Sequence, residues 1–456
     1  MTLQEQFDSQ RTYYDTLMTR DVKFRMHALK RVKIWIKDHD DLIEEALKKD
    51  LGKCPEEAYM EEIGMALDNL TYTIKHVHKW AKKKRVRTPL HEFYSRSYTV
   101  YEPYGLTLVI APWNYPFLLA VDPLVSSIAA GNCVILKPSE YAPETSKLLF
   151  QMVDTCFDKG HAIVVEGDDK VAKELTDLPF DYLFFTGSPV VGKKIYQKAA
   201  ETLTPVTLEL GGKSPCILTD MIPLEIAAKR IVFGKYLNAG QTCVAPDYIF
   251  IQEQMKAQFI DYVHKYIKEF YGEHPLESEN LCRIINKKHF NRLKKLLKDQ
   301  DIIIGGEMDE KTLKIAPTVV NDVDYDNPLM QEEIFGPIMP LVSYRAIEEV
   351  IEYINTHPKP LALYIFSNDS YHTDIILDKC SFGGGCVNDT LMHTANHYLP
   401  FGGVGTSGIG HYHGHASFKT FSHQRSILHK YTFMDMPFRY PPYNGKNMKI
   451  IKKLLK

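Results

Sequence analysis

The N-terminal part of the chain carries apolar residues at helical spacing. Between residues 22 and 51 they recur every three or four positions, which predicts two amphipathic helices, with Asp40 placed to cap the second. A third helix is predicted for residues 55–83. The pattern then changes at residues 98–101, which are predicted to form a strand of a separate sheet.

Short β-rich runs then alternate with helical segments. Alternation of this kind predicts an α/β fold with a parallel, doubly wound, Rossmann-like sheet. Ligands of such sheets bind beyond the carboxyl ends of the strands. The predicted strands are residues 106–110, 133–136, 162–165, 182–185 and 206–210, and the segments after them are 111–114, 137–140, 166–167 and 186–192.

A second alternating region follows and predicts a second α/β domain. It extends from residue 215 to about residue 405, and its predicted strands are residues 248–251, 302–304, 338–342 and 361–366. Past Gly414 the helical periodicity is lost and residues 418–427 are predicted to be extended. Residues 437–444 are rich in proline and tyrosine, which indicates an arm and not a domain core.

Composition excludes several classes of protein. The 456 residues carry 55 basic and 57 acidic side chains without a basic stripe, which argues against a nucleic-acid ligand and favours a small substrate. The eight cysteines form no C-x-x-C pair, so reduced thiols in the cytoplasm are expected. The polar N-terminus is not a secretory signal, and no apolar stretch approaches the ~18 residues of a membrane span.

One cysteine stands out as a candidate nucleophile. Cys243 ends the run Gly-Gln-Thr-Cys, and Glu209 lies upstream in the run Glu-Leu-Gly-Gly-Lys-Ser-Pro. A thiol with the ordinary pKa of about 8.5 is only a few per cent thiolate at neutral pH. An enzyme that uses Cys243 therefore needs a base, and Glu209 is a candidate for that role.

Two segments are candidates for a dinucleotide site. The run Phe-Phe-Thr-Gly-Ser-Pro-Val-Val-Gly at residues 184–192 gives a strand, a glycine turn and a helix start, where backbone N–H groups favour a phosphate. It is not the usual G-x-G-x-x-G, so a plain strand-to-helix turn is the alternative. Lys137 and Glu140 follow an adjacent strand and could bind ribose hydroxyls, and a solvated surface pair is the alternative.

Asn114 lies at a strand end between two prolines, where its amide could donate to a developing oxyanion. The competing interpretation is an ordinary turn residue bonded to its own backbone. The histidines near residues 393–397 and 411–415 invite a metal hypothesis. They lack a carboxylate or thiol complement at suitable spacing, so no metal site is predicted.

Together these segments closely resemble the aldehyde dehydrogenase superfamily, and most of all its class 3 branch of fatty and aromatic aldehyde dehydrogenases. The resemblance covers almost the whole chain and includes the order and spacing of the motifs. Those motifs are Phe-Thr-Gly-Ser at 185–188, Leu-Glu-Leu-Gly-Gly-Lys-Ser-Pro at 208–215, Gly-Gln-Thr-Cys at 240–243, Glu-Glu-Ile-Phe-Gly-Pro at 332–337 and Pro-Phe-Gly-Gly-Val at 400–404.

The resemblance implies a catalytic role for three side chains. Cys243 attacks the aldehyde carbonyl, and the Asn114 amide and the Cys243 backbone N–H hold the oxyanion of the thiohemiacetal. After oxidation, Glu209 activates the water that hydrolyses the thioester. The resemblance further implies that Lys137 and Glu140 contact the adenine ribose and that Gly187 and Gly192 contact the pyrophosphate of the cofactor. By the same resemblance, Glu333 contacts the nicotinamide ribose and Phe335 the nicotinamide ring. Further cofactor contacts in the same cleft are implied for Thr186, Ser188 and Leu210.

The same resemblance implies NAD as the cofactor, with NADP left open, and an aldehyde as the substrate. Glu140 should repel the 2′-phosphate of NADP. Tyr115, Phe401 and Trp113 suggest apolar or aromatic lining of the substrate pocket, although such residues also suit ordinary core packing.

The resemblance also implies three structural units and a homodimer. Residues 1–82 and 105–209 would form the NAD-binding domain, residues 210–412 the catalytic domain, and residues 83–104 with 413–456 an oligomerisation element and C-terminal arm. Residues 447–456 interleave apolar residues and lysines, so weak peripheral membrane contact by this tail is weighed against an ordinary tail docked on protein.

Two rival functions stay open at this point. One is a CoA-acylating aldehyde dehydrogenase, in which CoA and not water takes the acyl group; the presence of Glu209 favours hydrolysis. The other is a non-enzymatic binding protein on the same fold, against which the intact Cys243, Glu209 and Asn114 argue.

Overall fold

A computed structural model describes residues 1–219 and 222–455. Asp220 and Met221, within the predicted catalytic domain, and Lys456, at the end of the predicted arm, lie outside the described residues. The α-helices are Leu3–Asp15, Val22–Asp38, Asp40–Leu51, Pro55–Ala58, Gly64–Trp80, Leu118–Ala130, Pro143–Cys156, Asp169–Thr176, Pro189–Glu201, Leu224–Tyr236, Glu253–Tyr271, Lys287–Leu296, Pro328–Gln331, Ile347–Thr356, Ser370–Lys379, Gly414–Thr420 and Met448–Leu454.

A six-stranded sheet contains all five strands predicted between residues 106 and 210. Its five long strands run parallel, and the short sixth strand is antiparallel at one edge. The strands are apolar runs buried on both faces, as parallel sheets covered by helices require. In spatial order they are Gly408–Ile409, Val206–Leu210, Tyr182–Gly187, Leu106–Ile110, Cys133–Lys137 and Ala162–Val164.

The winding of this sheet reverses beside its first strand. Leu106–Ile110 pairs with Cys133–Lys137 on one side and with Tyr182–Gly187 on the other. The segments that leave Leu106–Ile110 and Tyr182–Gly187 therefore diverge and open a crevice at their carboxyl ends. The predicted Rossmann-like sheet is confirmed, and this reversal positions the site described below.

A seven-stranded sheet forms the second α/β layer. All of its pairings are parallel except that of the edge strand Ile302–Ile304. The four strands predicted here are confirmed, with small shifts at their ends, and three further strands had not been predicted. In spatial order the strands are Ile302–Ile304, Thr318–Val320, Ile338–Tyr344, Tyr248–Gln252, Pro215–Leu218, Ala362–Phe366 and Gly384–Val387.

Two small sheets complete the β structure of the described residues. The central strand Ser95–Pro103 pairs antiparallel with Lys84–Val86 and, over nine residues, with Ser422–Lys430. This sheet contains the predicted strand at residues 98–101, which is confirmed as part of a separate sheet. Met308–Asp309 and Lys314–Ile315 form an isolated hairpin.

The two helices predicted at residues 22–51 are confirmed, but the predicted cap is wrong. The chain bends at His39, whose Nδ1 lies 2.8 Å from the Trp35 carbonyl oxygen. Asp40 is already the first residue of the second helix, and its carboxylate accepts a hydrogen bond only from the adjacent Asp41 N–H. The third predicted helix is present as Pro55–Ala58 and Gly64–Trp80, joined by a π-helical turn at Tyr59–Ile63.

The extended structure predicted for residues 418–427 is wrong at its beginning. Helix Gly414–Thr420 includes Phe418, and the strand begins only at Ser422. Phe418 is buried against Trp80 and Tyr101, with ring centroids 5.7 and 5.6 Å apart. Tertiary packing therefore stabilises a helix in a segment whose local sequence does not predict one. Among the described residues no helix is both long and apolar enough to cross a membrane.

His161 is a buried imidazole among aromatic rings. It is fully buried beside Tyr13, Phe24 and Phe157, and neither ring nitrogen has a hydrogen-bond partner within residues 1–219 and 222–455. Burial lowers the pKa of His161 from 6.5 to about 4. The folded protein therefore keeps this side chain neutral at a pH where an unfolded chain takes up a proton, so its contribution to stability falls as pH drops from 6.5 towards 4.

We expect His161→Phe to make the melting temperature less sensitive to acid. Between pH 7 and pH 4.5 the wild-type protein should lose more stability than the variant, because phenylalanine fills the site and has no proton to gain on unfolding. The exposed His27→Phe is the matched control and should follow the wild-type curve. Identical pH profiles for His161→Phe and the wild-type protein would contradict this account.

Candidate active site

A cavity of about 800 Å³ lies at the carboxyl ends of the strands that flank the sheet reversal. Its lining includes residues of both large sheets and of the loops between them. Nine of the predicted site residues border it: Asn114, Thr186, Gly187, Ser188, Glu209, Leu210, Cys243, Glu333 and Phe335. Five do not: Lys137, Glu140, Gly192, Tyr115 and Phe401.

Cys243 is presented by a sharply bent loop. Helix Leu224–Tyr236 ends, and Asn238, Ala239 and Gly240 then adopt left-handed backbone conformations with φ of 51°, 51° and 72°. A Cβ at position 240 would lie 2.3 Å from the Gly336 carbonyl oxygen, so only glycine fits there. Left-handed non-glycine residues are strained and persist only where the surroundings hold them.

Buried polar side chains hold this bend. The Gln241 Nε2 donates to the Asn238 and Arg283 carbonyl oxygens at 3.1 and 3.0 Å, and its Oε1 accepts from the Ile285 N–H at 2.9 Å. The Asn238 Nδ2 donates to the Asn114 carbonyl oxygen at 2.7 Å. The strained segment is thus tied to neighbouring loops at several points, which determines where the thiol lies.

The surroundings of Cys243 oppose ionisation of its thiol. Burial, followed by the nearby Glu333 and Glu209, raises the pKa of Cys243 to about 12, while the backbone N–H groups of Cys243 and Val244 act in the opposite direction. The side chain is partly buried and faces the cavity. At neutral pH the thiol is therefore protonated, and a nucleophilic role requires a base.

Glu209 is a buried carboxyl without a protein hydrogen-bond partner. It is the penultimate residue of the strand Val206–Leu210 at the cavity wall, and neither of its carboxyl oxygens has a hydrogen-bond partner among the described residues. Burial raises the pKa of Glu209 well above its ordinary value. An unbonded carboxyl facing a cavity has the chemistry of a group that holds and moves a proton.

Glu333 lies against the glycines that follow Glu209. A Cβ on Gly211 would lie 2.0 Å from a Glu333 carboxyl oxygen, and the Gly212 N–H donates to this carboxyl group. Burial, followed by the charge of Asp247, raises the pKa of Glu333 to about 8. The paired glycines of the Leu-Gly-Gly-Lys run thus make room for a carboxylate in the cavity wall.

A three-point clamp fixes the backbone on both sides of Glu333. The Lys213 ammonium donates to Asp247 Oδ2 at 2.5 Å and to the Glu332 carbonyl oxygen at 2.9 Å. The Asp247 Oδ1 accepts from the Ile334 N–H at 3.0 Å. Arg292 also donates to the carbonyl oxygen of Glu333 at 3.3 Å, so charged groups hold the peptide before and after this residue.

The Asn114 amide points to the cysteine loop. It is buried, borders the cavity, and donates from Nδ2 to the Gln241 carbonyl oxygen at 3.0 Å. An amide carries two N–H donors, so one such bond leaves a second donor on the same nitrogen. Asn114 is not a turn residue bonded to its own backbone; its bond is to a segment over a hundred residues away in the chain.

The end of the cavity beside the six-stranded sheet has the geometry of a phosphate site. Ser188 caps helix Pro189–Glu201 through its side chain, and Pro189 and Val190 of the first turn border the cavity. A Cβ on Gly192 would lie 2.5 Å from a Leu210 methyl carbon, so this glycine lets the helix pack closely on the neighbouring strand. The free N–H groups and dipole of a helix start favour an anion there.

Lys137 and Glu140 form an ion pair two strands away from the strand that carries Thr186 and Gly187. Lys137 ends the strand Cys133–Lys137, and its ammonium donates to Glu140 Oε2 at 2.7 Å. The lysine side chain is buried and the glutamate is one-third exposed. Both therefore lie at the same carboxyl edge of the sheet as Thr186 and Gly187, outside the lining of the described cavity.

The two predicted substrate residues lie behind the cavity wall. The Tyr115 hydroxyl shares a hydrogen bond of 2.7 Å with Thr242 Oγ1, and the side chain is buried. Phe401 stacks on the half-buried His413, with ring centroids 5.2 Å apart. In the described part of the chain, no three histidine, cysteine or acidic side chains gather as metal ligands.

Lys213, His289 and Arg292 border the cavity and had no role in the sequence analysis, whereas Trp113 was named there as a candidate lining residue of the substrate pocket. Lys213 lies in the Leu-Glu-Leu-Gly-Gly-Lys-Ser-Pro motif, and a lysine directly after two glycines was the signal by which it could have been identified as a site residue. His289 and Arg292 lie three residues apart on helix Lys287–Leu296 and contact the cavity from one face. Trp113 packs its ring on His289 and Phe335, at centroid distances of 5.1 and 5.3 Å.

Comparison with known proteins gives concordant results. Residues 3–427 match the model of the aldehyde dehydrogenase family. The chain is 46% identical over 456 residues to the 4,4'-diaponeurosporen-aldehyde dehydrogenase of Staphylococcus aureus (strain NCTC 8325 / PS 47), covering 100% of this chain and 99% of the relative. It is 44% identical over 435 residues to aldehyde dehydrogenase family 3 member B1 of Bos taurus, covering 95% and 93%.

Solved structures give the same result. The substrate-bound state of Staphylococcus aureus AldH aligns with a TM-score of 0.98 at 46% identity, covering 100% of both chains. A Mycobacterium tuberculosis aldehyde dehydrogenase complexed with NAD+ aligns with a TM-score of 0.81 at 26% identity, covering 90% of this chain and 86% of that one.

We expect Glu333→Gln to make Cys243 easier to alkylate at alkaline pH. Above pH 8 the Glu333 carboxylate is largely ionised and raises the pKa of the thiol, so its replacement by a neutral amide lowers that pKa. Iodoacetamide labelling at pH 9, followed by mass spectrometry, should show several-fold faster modification of Cys243. The exposed Glu310→Gln is the control, and an unchanged or slower rate in Glu333→Gln would refute the electrostatic account.

Proposed function

Because this chain belongs to the aldehyde dehydrogenase family, and is therefore an oxidoreductase that oxidises aldehydes, we propose that Cys243 is its nucleophile and Glu209 its general base. The product is the carboxylic acid. The observation that carries the proposal is that a thiol, an unbonded carboxyl group and an amide donor border one cavity.

In the first half-reaction the Cys243 sulfur adds to the aldehyde carbonyl carbon, and the thiol proton leaves to a base. The second N–H of Asn114 and the Cys243 backbone N–H hold the oxyanion of the thiohemiacetal. Burial raises the pKa of Glu209, and a carboxylate with a raised pKa is a stronger base than an exposed one. Glu209 therefore suits both the thiol proton, which it then releases to solvent, and, later, a proton from water.

In the second half-reaction the thioester on Cys243 is hydrolysed. Glu209 takes a proton from water, the hydroxide oxygen bonds to the acyl carbon, and the carbon–sulfur bond breaks to return the thiol. For each aldehyde, one water is consumed and a carboxylic acid forms. The lack of a fixed partner on Glu209 supports this role, because the carboxyl group is free to bond first one donor and then another.

The residues around the cavity suit NAD. The capped start of helix Pro189–Glu201 suits the pyrophosphate, Glu333 a ribose, and Phe335 the nicotinamide ring. Lys137 and Glu140 would hold the adenine ribose beyond the described lining, with Thr186, Gly187, Ser188, Gly192 and Leu210 shaping the cleft between. When bound, NAD supplies the hydride acceptor of the reaction. NADP is the weaker alternative, because its 2′-phosphate would meet the Glu140 carboxylate.

The substrate is proposed to be a medium- or long-chain aliphatic aldehyde or an aromatic one. The relative at 46% identity is named for the 4,4'-diaponeurosporen-aldehyde, which supports an apolar substrate. Lining of the substrate pocket by Tyr115 and Phe401 stays a prediction. Rates measured across aldehydes of increasing chain length would establish the preference.

A homodimer is proposed with the predicted division into three units, residues 1–82 with 105–209, residues 210–412, and residues 83–104 with 413–456. Two exposed sheet edges support it. Ser422–Lys430 pairs on one side only with Ser95–Pro103, and Gly384–Val387 ends the seven-stranded sheet. Unpaired strand edges of this kind favour pairing with another chain.

Weak peripheral membrane contact is proposed for the C-terminal tail. Helix Met448–Leu454 carries Lys449, Lys452 and Lys453, and Met448 and Ile450 are exposed beside them. A short basic helix with apolar residues attracts anionic lipid only weakly.

The eight cysteines are all free, which supports a reducing compartment such as the cytoplasm.

We expect Cys243→Ala to abolish aldehyde oxidation while NAD affinity stays within a few-fold, since the cofactor residues are untouched. Glu209→Gln should still show a burst of NADH formation, slower than that of the wild-type protein because the thiol loses its base, and should slow steady-state turnover by about a hundredfold or more because deacylation loses its base as well. Stopped-flow absorbance at 340 nm separates the two phases. Dehydrogenase activity retained by Cys243→Ala would refute the nucleophile.

Whether CoA or water accepts the acyl group is tested with the wild-type protein. Products are identified with and without CoA, and free acid formed at the same rate in both supports hydrolysis. Acyl-CoA without free acid would mean that the enzyme is CoA-acylating. Failure to reduce NAD with short, long and aromatic aldehydes would support the non-enzymatic alternative.

We expect Glu140→Gln to shift the cofactor preference towards NADP. The change removes a carboxylate that would repel a 2′-phosphate and leaves Lys137 without its ionic partner. The ratio of kcat/KM for NADP to that for NAD should rise about tenfold, which corresponds to roughly 1.4 kcal/mol. A ratio within twofold of the wild-type value would show that Glu140 does not discriminate between them.

A further inference from the structure

A charged pair lies fully buried beneath the loop that carries Cys243. The Lys53 ammonium and the Glu62 carboxylate are 2.6 Å apart, and both side chains have no exposed surface. Buried charges are costly unless each finds partners. Glu62 finds two more, because its second oxygen accepts from the Phe117 and Leu118 N–H groups at 2.8 and 3.1 Å, at the start of helix Leu118–Ala130.

The same ammonium lies over the ring of Tyr115. Lys53 Nζ is 4.0 Å from the ring centroid, a distance at which a desolvated cation and an aromatic ring attract each other. The Tyr115 hydroxyl in turn is bonded to Thr242 Oγ1 at 2.7 Å. Thr242 directly precedes Cys243, so a chain of buried contacts leads from Glu62 to the nucleophile.

A second buried contact reaches the other end of the loop. The Glu57 Oε1 accepts from the Asn238 N–H at 2.9 Å, at the first of the three left-handed residues. Glu57 also interacts electrostatically with Lys53. The Lys53 ammonium therefore lies between two groups that hold the bend. These are the Glu57 carboxylate at its beginning and Tyr115 at its end.

We propose that Tyr115 is a positioning residue for Cys243, held in place by the buried Lys53–Glu62 pair. Its hydroxyl fixes Thr242, and through it the position of the sulfur, while its ring rests under the Lys53 ammonium. The inference rests on the proposed role of Cys243 as the nucleophile. It gives the hydroxyl of Tyr115 a function that substrate lining would not require, since a phenylalanine would line an apolar pocket equally well.

The hydroxyl pair is tested first. Tyr115→Phe and Thr242→Val each remove one end of the bond, and each should lower kcat/KM about tenfold, by the same factor for short and long aldehydes. The double variant should be no slower than either single one, because both remove the same interaction. Thr242→Ser keeps the hydroxyl and should restore most of the activity. Iodoacetamide labelling of Cys243 should slow in parallel.

Tyr182→Phe is the matched control. Tyr182 and Thr207 form an equivalent buried hydroxyl pair at 2.6 Å, at the opposite end of the six-stranded sheet from the cavity. This variant should lower the melting temperature as Tyr115→Phe does but leave kcat/KM unchanged. A Tyr115→Phe variant that behaves like Tyr182→Phe would overturn the proposal, and so would an effect that grows with aldehyde chain length.

The supporting pair is tested by removing both charges together. Lys53→Met/Glu62→Gln removes the cation together with its closest carboxylate, keeps an acceptor for the Phe117 and Leu118 N–H groups, and leaves Glu57 its hydrogen bond from the Asn238 N–H. It should lower kcat/KM about as much as Tyr115→Phe, and adding Tyr115→Phe should have little further effect. Should the double variant fail to fold, Glu62→Gln alone is measured in the same way. If the effects of the charge-pair variant and of Tyr115→Phe on kcat/KM were fully additive, the proposed role of the pair would be overturned.

These outcomes are separable from failure of the proposed function. Cys243→Ala decides whether the thiol is the nucleophile, and the hydroxyl series decides how that thiol is held. If Cys243→Ala retained activity, the proposed function would fall whatever the tyrosine variants did. If it were inactive and Tyr115→Phe were unimpaired, only the positioning role would fall.

Discussion

The ammonium of Lys213 connects the two sheets on which the site depends. The chain leaves the six-stranded sheet at Leu210 and enters the seven-stranded sheet at Pro215, with Lys213 in the short crossing between them. Its bonds to Asp247 and to the carbonyl oxygens of Leu329 and Glu332 gather two distant segments around that crossing. Because the crossing is this short, Glu209 on one sheet and Glu333 beside the other have little freedom to separate, and a single cavity faces them both.

That cavity governs the protonation of the groups in it. Burial raises the pKa of Cys243, Glu209 and Glu333 together, and the two carboxyl groups raise the pKa of the thiol further. A resting thiol in this state is protected from adventitious reaction, and the cost is that a proton must be removed during catalysis. The same cavity contains carboxyl groups whose raised pKa makes them stronger proton acceptors. Under the proposed role of Cys243, activation and protection of the nucleophile thus have one physical origin.

Much of the fold was predictable because its strands are local. Apolar runs such as Val206–Leu210 are bounded by glycine or proline, and the rule for parallel sheets then places Thr186, Glu209 and Asn114 at one edge. Pro215–Leu218 was missed because four residues carry too little periodicity, and the helix at Phe418 because its packing on Trp80 is not local. Likewise nothing in the sequence reveals which way Tyr115 turns: its direction is set by Lys53 and Thr242, which lie far away in the chain.

The small three-stranded sheet has a consequence for biosynthesis. Its central strand Ser95–Pro103 pairs over its full length only with Ser422–Lys430, about 320 residues later. At ~5–20 residues per second, a ribosome needs roughly 15–60 s to make the intervening chain. Throughout that interval the earlier strand has an open edge on the nascent polypeptide, with only Lys84–Val86 beside it. Completion of this sheet therefore waits for the synthesis of Ser422–Lys430, and a chain truncated before Ser422 would present that edge permanently to chaperones or to other nascent chains.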